Sequence, residues 1–155
     1  MALTVDIGAL AVSLLLCVAV AGVGGRFRPG AWYTQLRKPR WTPPALAFPI
    51  VWSLLYALMA FAAWWLWRRT GLWAGAAALA FYLGQLLCNA LWSWLFFGLK
   101  RTALALIDLV MLWVLLVVAV VLFWRHSVLA ATLLLPYLAW ATFAAYLNAY
   151  IVWRN

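Results

Sequence analysis

Glutamate is absent from this chain of 155 residues, and aspartate occurs only at Asp6 and Asp108. Only 8% of the residues are charged, against about 25% in soluble domains. A chain so poor in charge cannot cover its own surface in water, although it has no need to do so in lipid. Cysteine is scarce too: Cys17 and Cys88 both fall inside apolar runs, where thiols are expected to pack rather than form a disulfide. No C-x-x-C, H-E-x-x-H or phosphate-binding glycine run occurs, so neither a metal site nor a resident cofactor is expected.

Hydrophobic residues fill that space. They make up 71% of the chain, mean hydropathy is +1.07, and there are 13 tryptophans. A formal net charge of +9 would suggest nucleic acid in a soluble protein. Here the basic residues sit between apolar runs, as anchors on the headgroups of a lipid bilayer do, and nucleic acid is not an expected partner.

Crossing a bilayer core takes about 20 apolar residues in a helix. Five runs qualify, at about 3–25, 47–67, 72–97, 102–124 and 128–153. The expected fold is an all-α integral membrane bundle of five transmembrane helices, forming one domain over residues 1–155. Ala19-Val20-Ala21 has the small-x-small look of a signal-peptide cleavage site. Its leader, however, carries Asp6 and no Lys or Arg, so the first run is read as a retained span. Links around Arg68-Arg69-Thr70-Gly71, Lys100-Arg101 and Arg125-His126 are short, which makes neighbouring spans antiparallel.

The connection at 26–46 is different. It is long, basic and aromatic, and Pro39, Pro43 and Pro44 stiffen it. Loops of this length in compact proteins often act as lids. Lys and Arg are distributed unevenly. Arg26, Arg28, Arg37, Lys38, Arg40, Lys100, Arg101 and Arg154 lie on the long-loop side; Arg68, Arg69 and Arg125 lie on the other. The long loop and C-terminus are therefore expected in the cytoplasm and the N-terminus outside.

Helical periodicity assigns faces. Ala76, Ala80, Gly84 and Cys88 recur every four residues on the third span. Such a small-residue stripe serves either packing within the bundle or a homodimer seam. Gln85, Asn89, Trp92 and Phe96 form a second stripe about 110° away. The second span presents Trp52, Tyr56 and Met59; the fifth presents Tyr137, Trp140, Ala144 and Asn148, with Pro136 freeing a carbonyl in mid-membrane. Treated as straight rods with flush ends, these helices put Trp52 roughly 6 Å, Asn89 roughly 12 Å and Trp140 roughly 20 Å below the long-loop side. An aromatic cavity with a few amides under a basic lid suits a flat apolar ligand with a charged edge. Arg37, Lys38 or Arg40 could then meet that charged edge. Asp108, about one turn into the fourth span, is expected to answer the helix dipole or to pair with Lys100 or Arg101.

Several segments carry a resemblance: Trp32-Tyr33-x-x-Leu36-x-Lys38-Pro39-x-Trp41-x-Pro43-Pro44, Pro49-x-Val51-Trp52-x-x-x-Tyr56 and Gln85-Leu86-x-x-Asn89-x-x-Trp92. They continue with Phe96-Phe97-Gly98, Ala105-Leu106-x-Asp108-Leu109, Pro136-Tyr137-Leu138-Ala139-Trp140 and Leu147-Asn148. From about Arg26 to the C-terminus the chain resembles the TspO/translocator protein family, once called the peripheral benzodiazepine receptor. The resemblance implies a membrane receptor for porphyrins such as protoporphyrin IX and haem, for sterols, and for synthetic isoquinoline or benzodiazepine ligands. It implies tetrapyrrole regulation or transport in a bacterial cell membrane. Carried onto this chain, the ligand contacts are Tyr33, Pro43, Trp52, Tyr56, Asn89, Trp92, Phe96, Trp140, Ala144 and Leu147, with Asn89 and Trp52 as the polar ones. Light-dependent porphyrin degradation in some bacterial members would use Trp52 and Trp140 as catalytic residues. Leu147, Tyr150 and Arg154 fit the loose sterol pattern, which also arises from an interfacial Tyr and a snorkelling Arg. Among Ala76, Ala80 and Gly84 a homodimer contact is expected. A secondary transporter is disfavoured, because no intramembrane Glu, buried Lys/Arg pair or inverted repeat is evident.

Overall fold

The computed structural model describes residues 2–155, with side chains from Ile7 onward. The side chain of Asp6, on which the retained-span reading leans, lies outside the described residues. Helices are α1 (Ala2–Arg26), α2 (Ala31–Gln35), α3 (Ala47–Ala74), α4 (Ala76–Ser93), α5 (Thr102–His126), α6 (Val128–Thr132) and α7 (Leu135–Arg154). Five helical segments are long and apolar enough to cross a membrane: Ile7–Arg26, Ala47–Ala74, Ala76–Gly98, Thr102–His126 and Val128–Arg154. The chain is a multi-pass membrane protein with an all-α fold.

Packing follows from residue size and from which faces are apolar on both sides. The core runs along α3, α4, α5 and α7 and contains Met59, Leu66, Tyr82, Leu112, Leu116, Phe123 and Tyr137. Outer faces are equally apolar, with Ile7, Leu54, Leu87 and Ile107 exposed, since lipid rather than water is their solvent. Gly84 faces α5: a Cβ built there would lie 3.4 Å from Leu115 Cδ1. This part of the small-residue stripe is used inside the bundle, while Ala76 and Ala80 are exposed. Both cysteines are free, and Cys17 Sγ lies 3.4 Å from the Tyr82 hydroxyl.

Three elements depart from straight rods. First, α3 continues through the expected link and breaks at Gly71, whose φ of 69° and ψ of 179° are open to glycine and strained for other residues. Second, α4 ends in a π-helical turn, Trp94–Gly98, closed by Leu99 N–H donating to Trp94 O at 2.8 Å. A would-be Cβ at Gly98 would sit 3.0 Å from the Trp94 ring and 3.1 Å from the Phe27 ring, so a larger residue would have to push these rings aside. Third, the fifth span is broken, α6 stopping at Thr132 and α7 starting at Leu135. Pro136 thus stands in the first turn of α7 rather than inside a continuous helix, where a missing N–H costs little.

Asp108 corrects another expectation. Lys100 and Arg101 are exposed, while Asp108 is buried with Oδ2 unpartnered. It is the seventh residue of α5, beyond the first turn where the dipole acts. Its neighbour is Cys88 of α4.

Candidate functional site

Beneath the first loop lies a cavity of about 870 Å³, within the range of drug- and cofactor-sized pockets. Its walls come from all five spans and from the loop itself. The ten positions singled out from the sequence, Tyr33, Pro43, Trp52, Tyr56, Asn89, Trp92, Phe96, Trp140, Ala144 and Leu147, all line it.

Aromatic rings form the framework. Trp52 stacks on Tyr56 with centroids 5.3 Å apart and meets Trp140 edge to face at 6.4 Å and 86°. Phe48 stands against Trp140 at 5.8 Å. On the opposite wall Trp92 stacks on Phe96 at 5.0 Å, and the π-turn turns Phe97 edge-on to both. The close approach of Trp52 to Trp140 corrects the depth estimate, in which flush rods separate them by roughly 14 Å. The helix ends are not flush: the end of α7 reaches into the loop, where Asn155 Oδ1 accepts from Arg37 N–H at 3.0 Å and Nδ2 donates to Arg37 O at 3.2 Å.

Asn89 is a crossbeam. The Tyr56 hydroxyl donates to Asn89 Oδ1 at 2.6 Å, and Asn89 Nδ2 donates to the Tyr137 hydroxyl at 2.9 Å. Three spans are tied at one amide, which keeps one N–H and one lone pair over. Gln85, one turn earlier, is fully buried with neither amide atom partnered; nothing in the structure explains it. Trp92 Nε1 and Asn148 Oδ1, on cavity-lining residues, are also without partners, while Asn148 Nδ2 donates to Thr102 O at 2.8 Å.

The lid is ordered by its own contacts. Tyr33 of α2 meets Phe97 at 5.5 Å and Phe96 at 6.2 Å, both edge to face. Burial pushes its phenol above the usual tyrosine range, so it is neutral at physiological pH. Lys38 Nζ donates to Tyr33 O at 2.9 Å and lies 4.1 Å over the Tyr33 ring. Thr42 Oγ1 donates to Pro39 O at 2.7 Å. Trp41 packs on Phe143 and Tyr146 of α7 and stays partly exposed.

Of the three loop cations expected at the mouth, only Lys38 lines the cavity; Arg37 and Arg40 are exposed away from it, and Arg28 takes their place. Sequence reasoning also missed Phe48 and the α1 wall of Ala21, Gly24 and Gly25. The one signal for that wall is the pair of small residues near the end of α1. Tyr137 and Asn148 stand on the predicted face of α7 and join the lining. Of the sterol pattern, Leu147 lines the cavity, whereas Tyr150 packs on Trp153 at 6.2 Å and Arg154 lies 5.1 Å over the same ring.

Comparisons with known proteins agree with this architecture. Residues 13–154 match the model of the TspO/MBR family. The chain is 40% identical over 148 residues to protein CrtK of Rhodobacter capsulatus, covering 93% of this chain and 90% of that one. It is 42% identical over 135 residues to the tryptophan-rich sensory protein of Cereibacter sphaeroides, covering 87% and 84% respectively. To the human translocator protein it is 39% identical over 138 residues, covering 86% and 81%. A tryptophan-lined cavity under a proline-stiffened loop, five membrane spans and a match across almost the whole chain lead to one conclusion: the protein belongs to the TspO/MBR family.

Proposed function

We propose that the protein is a membrane receptor, or sensor, that binds porphyrins such as protoporphyrin IX and haem in the cavity beneath the first loop. Sterols and synthetic isoquinoline or benzodiazepine compounds are the other ligands this reading admits. The observation that carries it is the pairing of large flat rings, Trp52, Trp92, Phe96 and Trp140, with Arg28 and Lys38 on the same cavity. A porphyrin combines an apolar macrocycle with anionic propionates. The rings offer stacking, and the two cations offer charge-assisted hydrogen bonds at the mouth. Ligand binding would report tetrapyrrole supply or pass the ligand on.

The test is charge selectivity. Arg28→Ala and Lys38→Ala should each weaken protoporphyrin IX about fivefold, as expected for about 1 kcal/mol per cation. An uncharged isoquinoline should bind Arg28→Ala as before, and Lys38→Ala, which also loses the contacts to Tyr33, should weaken porphyrin more than isoquinoline. Equal loss of both ligands contradicts the proposal, as does loss of porphyrin affinity in Arg37→Ala and Arg40→Ala instead.

One observation favours a second reading, light-dependent porphyrin degradation: Trp52 and Trp140 stand edge to face within the cavity. On this reading they are the catalytic residues. Trp140→Phe should keep dark binding and lose light-driven bleaching; bleaching at the wild-type rate rejects it.

The exposed Ala76 and Ala80 are the seam this reading assigns to a homodimer, since Gly84 already faces α5. The lysine and arginine asymmetry supports a cytoplasmic lid and C-terminus in a bacterial cell membrane, with the N-terminus outside.

A further inference from the structure

At the opposite end of the bundle is a second concavity that the cavity chemistry does not use. A groove of about 540 Å³ lies between the end of α3 and the corner joining α5 to α6, with Trp65, Arg69, Trp124, Arg125, His126 and Ser127 in its wall. Two of its side chains, Arg69 and Arg125, are cations. Arg69 is exposed and lies 5.8 Å over the Trp65 ring, and Arg125 is exposed beside it on α5. Ser127 Oγ accepts from Ala130 N–H at 3.3 Å, which leaves its own O–H to donate. The one described carboxylate side chain, Asp108, is 17 residues back along α5 from Arg125, about 25 Å away.

Position narrows the occupant further. The groove lies where α3 and α5 end, at the level of the exposed Trp73 and Trp124, the depth at which tryptophans meet headgroups. Its lower edge is apolar, with Val128 56% and Leu129 45% exposed. Cations above an apolar edge match a molecule with a phosphate head and acyl chains beneath. We propose that the groove seats the phosphate of one anionic phospholipid, held by Arg69 and Arg125, with its chains over Val128 and Leu129. A zwitterionic headgroup would bring its own cation against two guanidiniums, so phosphatidylglycerol is preferred to phosphatidylcholine.

Native mass spectrometry of the full-length protein in detergent, titrated with each lipid, tests this. One phosphatidylglycerol should be retained more tightly than any phosphatidylcholine. Arg69→Gln and Arg125→Gln should each weaken it about fivefold, and together about 25-fold. Arg37→Gln with Arg40→Gln, on the loop face, should leave this lipid in place. Equal retention by wild type and the Arg69→Gln, Arg125→Gln double variant overturns the proposal, provided helical circular dichroism is unchanged. Displacement by inorganic phosphate at the concentration where lipid binds overturns it as well.

Discussion

Asn89 illustrates what a single polar side chain does in lipid. Stranded carboxamides are costly there, and the structure engages this one twice, through Tyr56 and Tyr137. Interhelical hydrogen bonds in membranes are worth about 0.6 kcal/mol on average and at most about 1.7. Tyr137→Phe removes the acceptor of Asn89 Nδ2 and keeps the ring against Trp52. It should lower stability by that modest amount, read as a small fall in the thermal midpoint in detergent. No change at all would mean that the crossbeam is not strained by its loss. Periodicity alone could place Asn89 on an inward face, but it could not say that two tyrosines claim both ends of the amide. Their hydroxyls lie on other helices, and the distances between helices are not encoded in any one of them.

Among the elements, helix existence was legible because apolar length is set by bilayer thickness. Their ends and breaks were not. Gly71, the π-turn at Trp94–Gly98 and the interruption before Leu135 depend on where chain and neighbours meet. Seven of the ten positions, Trp52, Tyr56, Asn89, Trp92, Phe96, Trp140 and Ala144, stood on helical stripes, while Tyr33, Pro43 and Leu147 came from family resemblance alone; the relative depth of Trp52 and Trp140 was misjudged because the end of α7 reaches into the loop. Gly84 also belongs to this scale. Leucine there would drive into Leu115 and cost about 1–3 kcal/mol by overpacking, lowering the thermal midpoint. Ala80→Leu, on an exposed position, should leave that midpoint unchanged and alter only association, measured by cross-linking in detergent. Reversed behaviour of the two variants would put α5 and the seam on the wrong faces.

Taken whole, the molecule has two unlike ends. One is closed by a proline-stiffened, aromatic lid above the large cavity; the other is open, with Arg69 and Arg125 at its rim. The ligand account depends on the first end acting as one enclosed site rather than as a set of grooves filled by lipid. Tryptophan-fluorescence titration of the purified protein with protoporphyrin IX, in the dark, tests that most directly. The account predicts quenching that saturates at one porphyrin per chain and is reversed by an uncharged isoquinoline competitor. Quenching that rises in proportion to porphyrin without saturating, and is indifferent to the competitor, would contradict it.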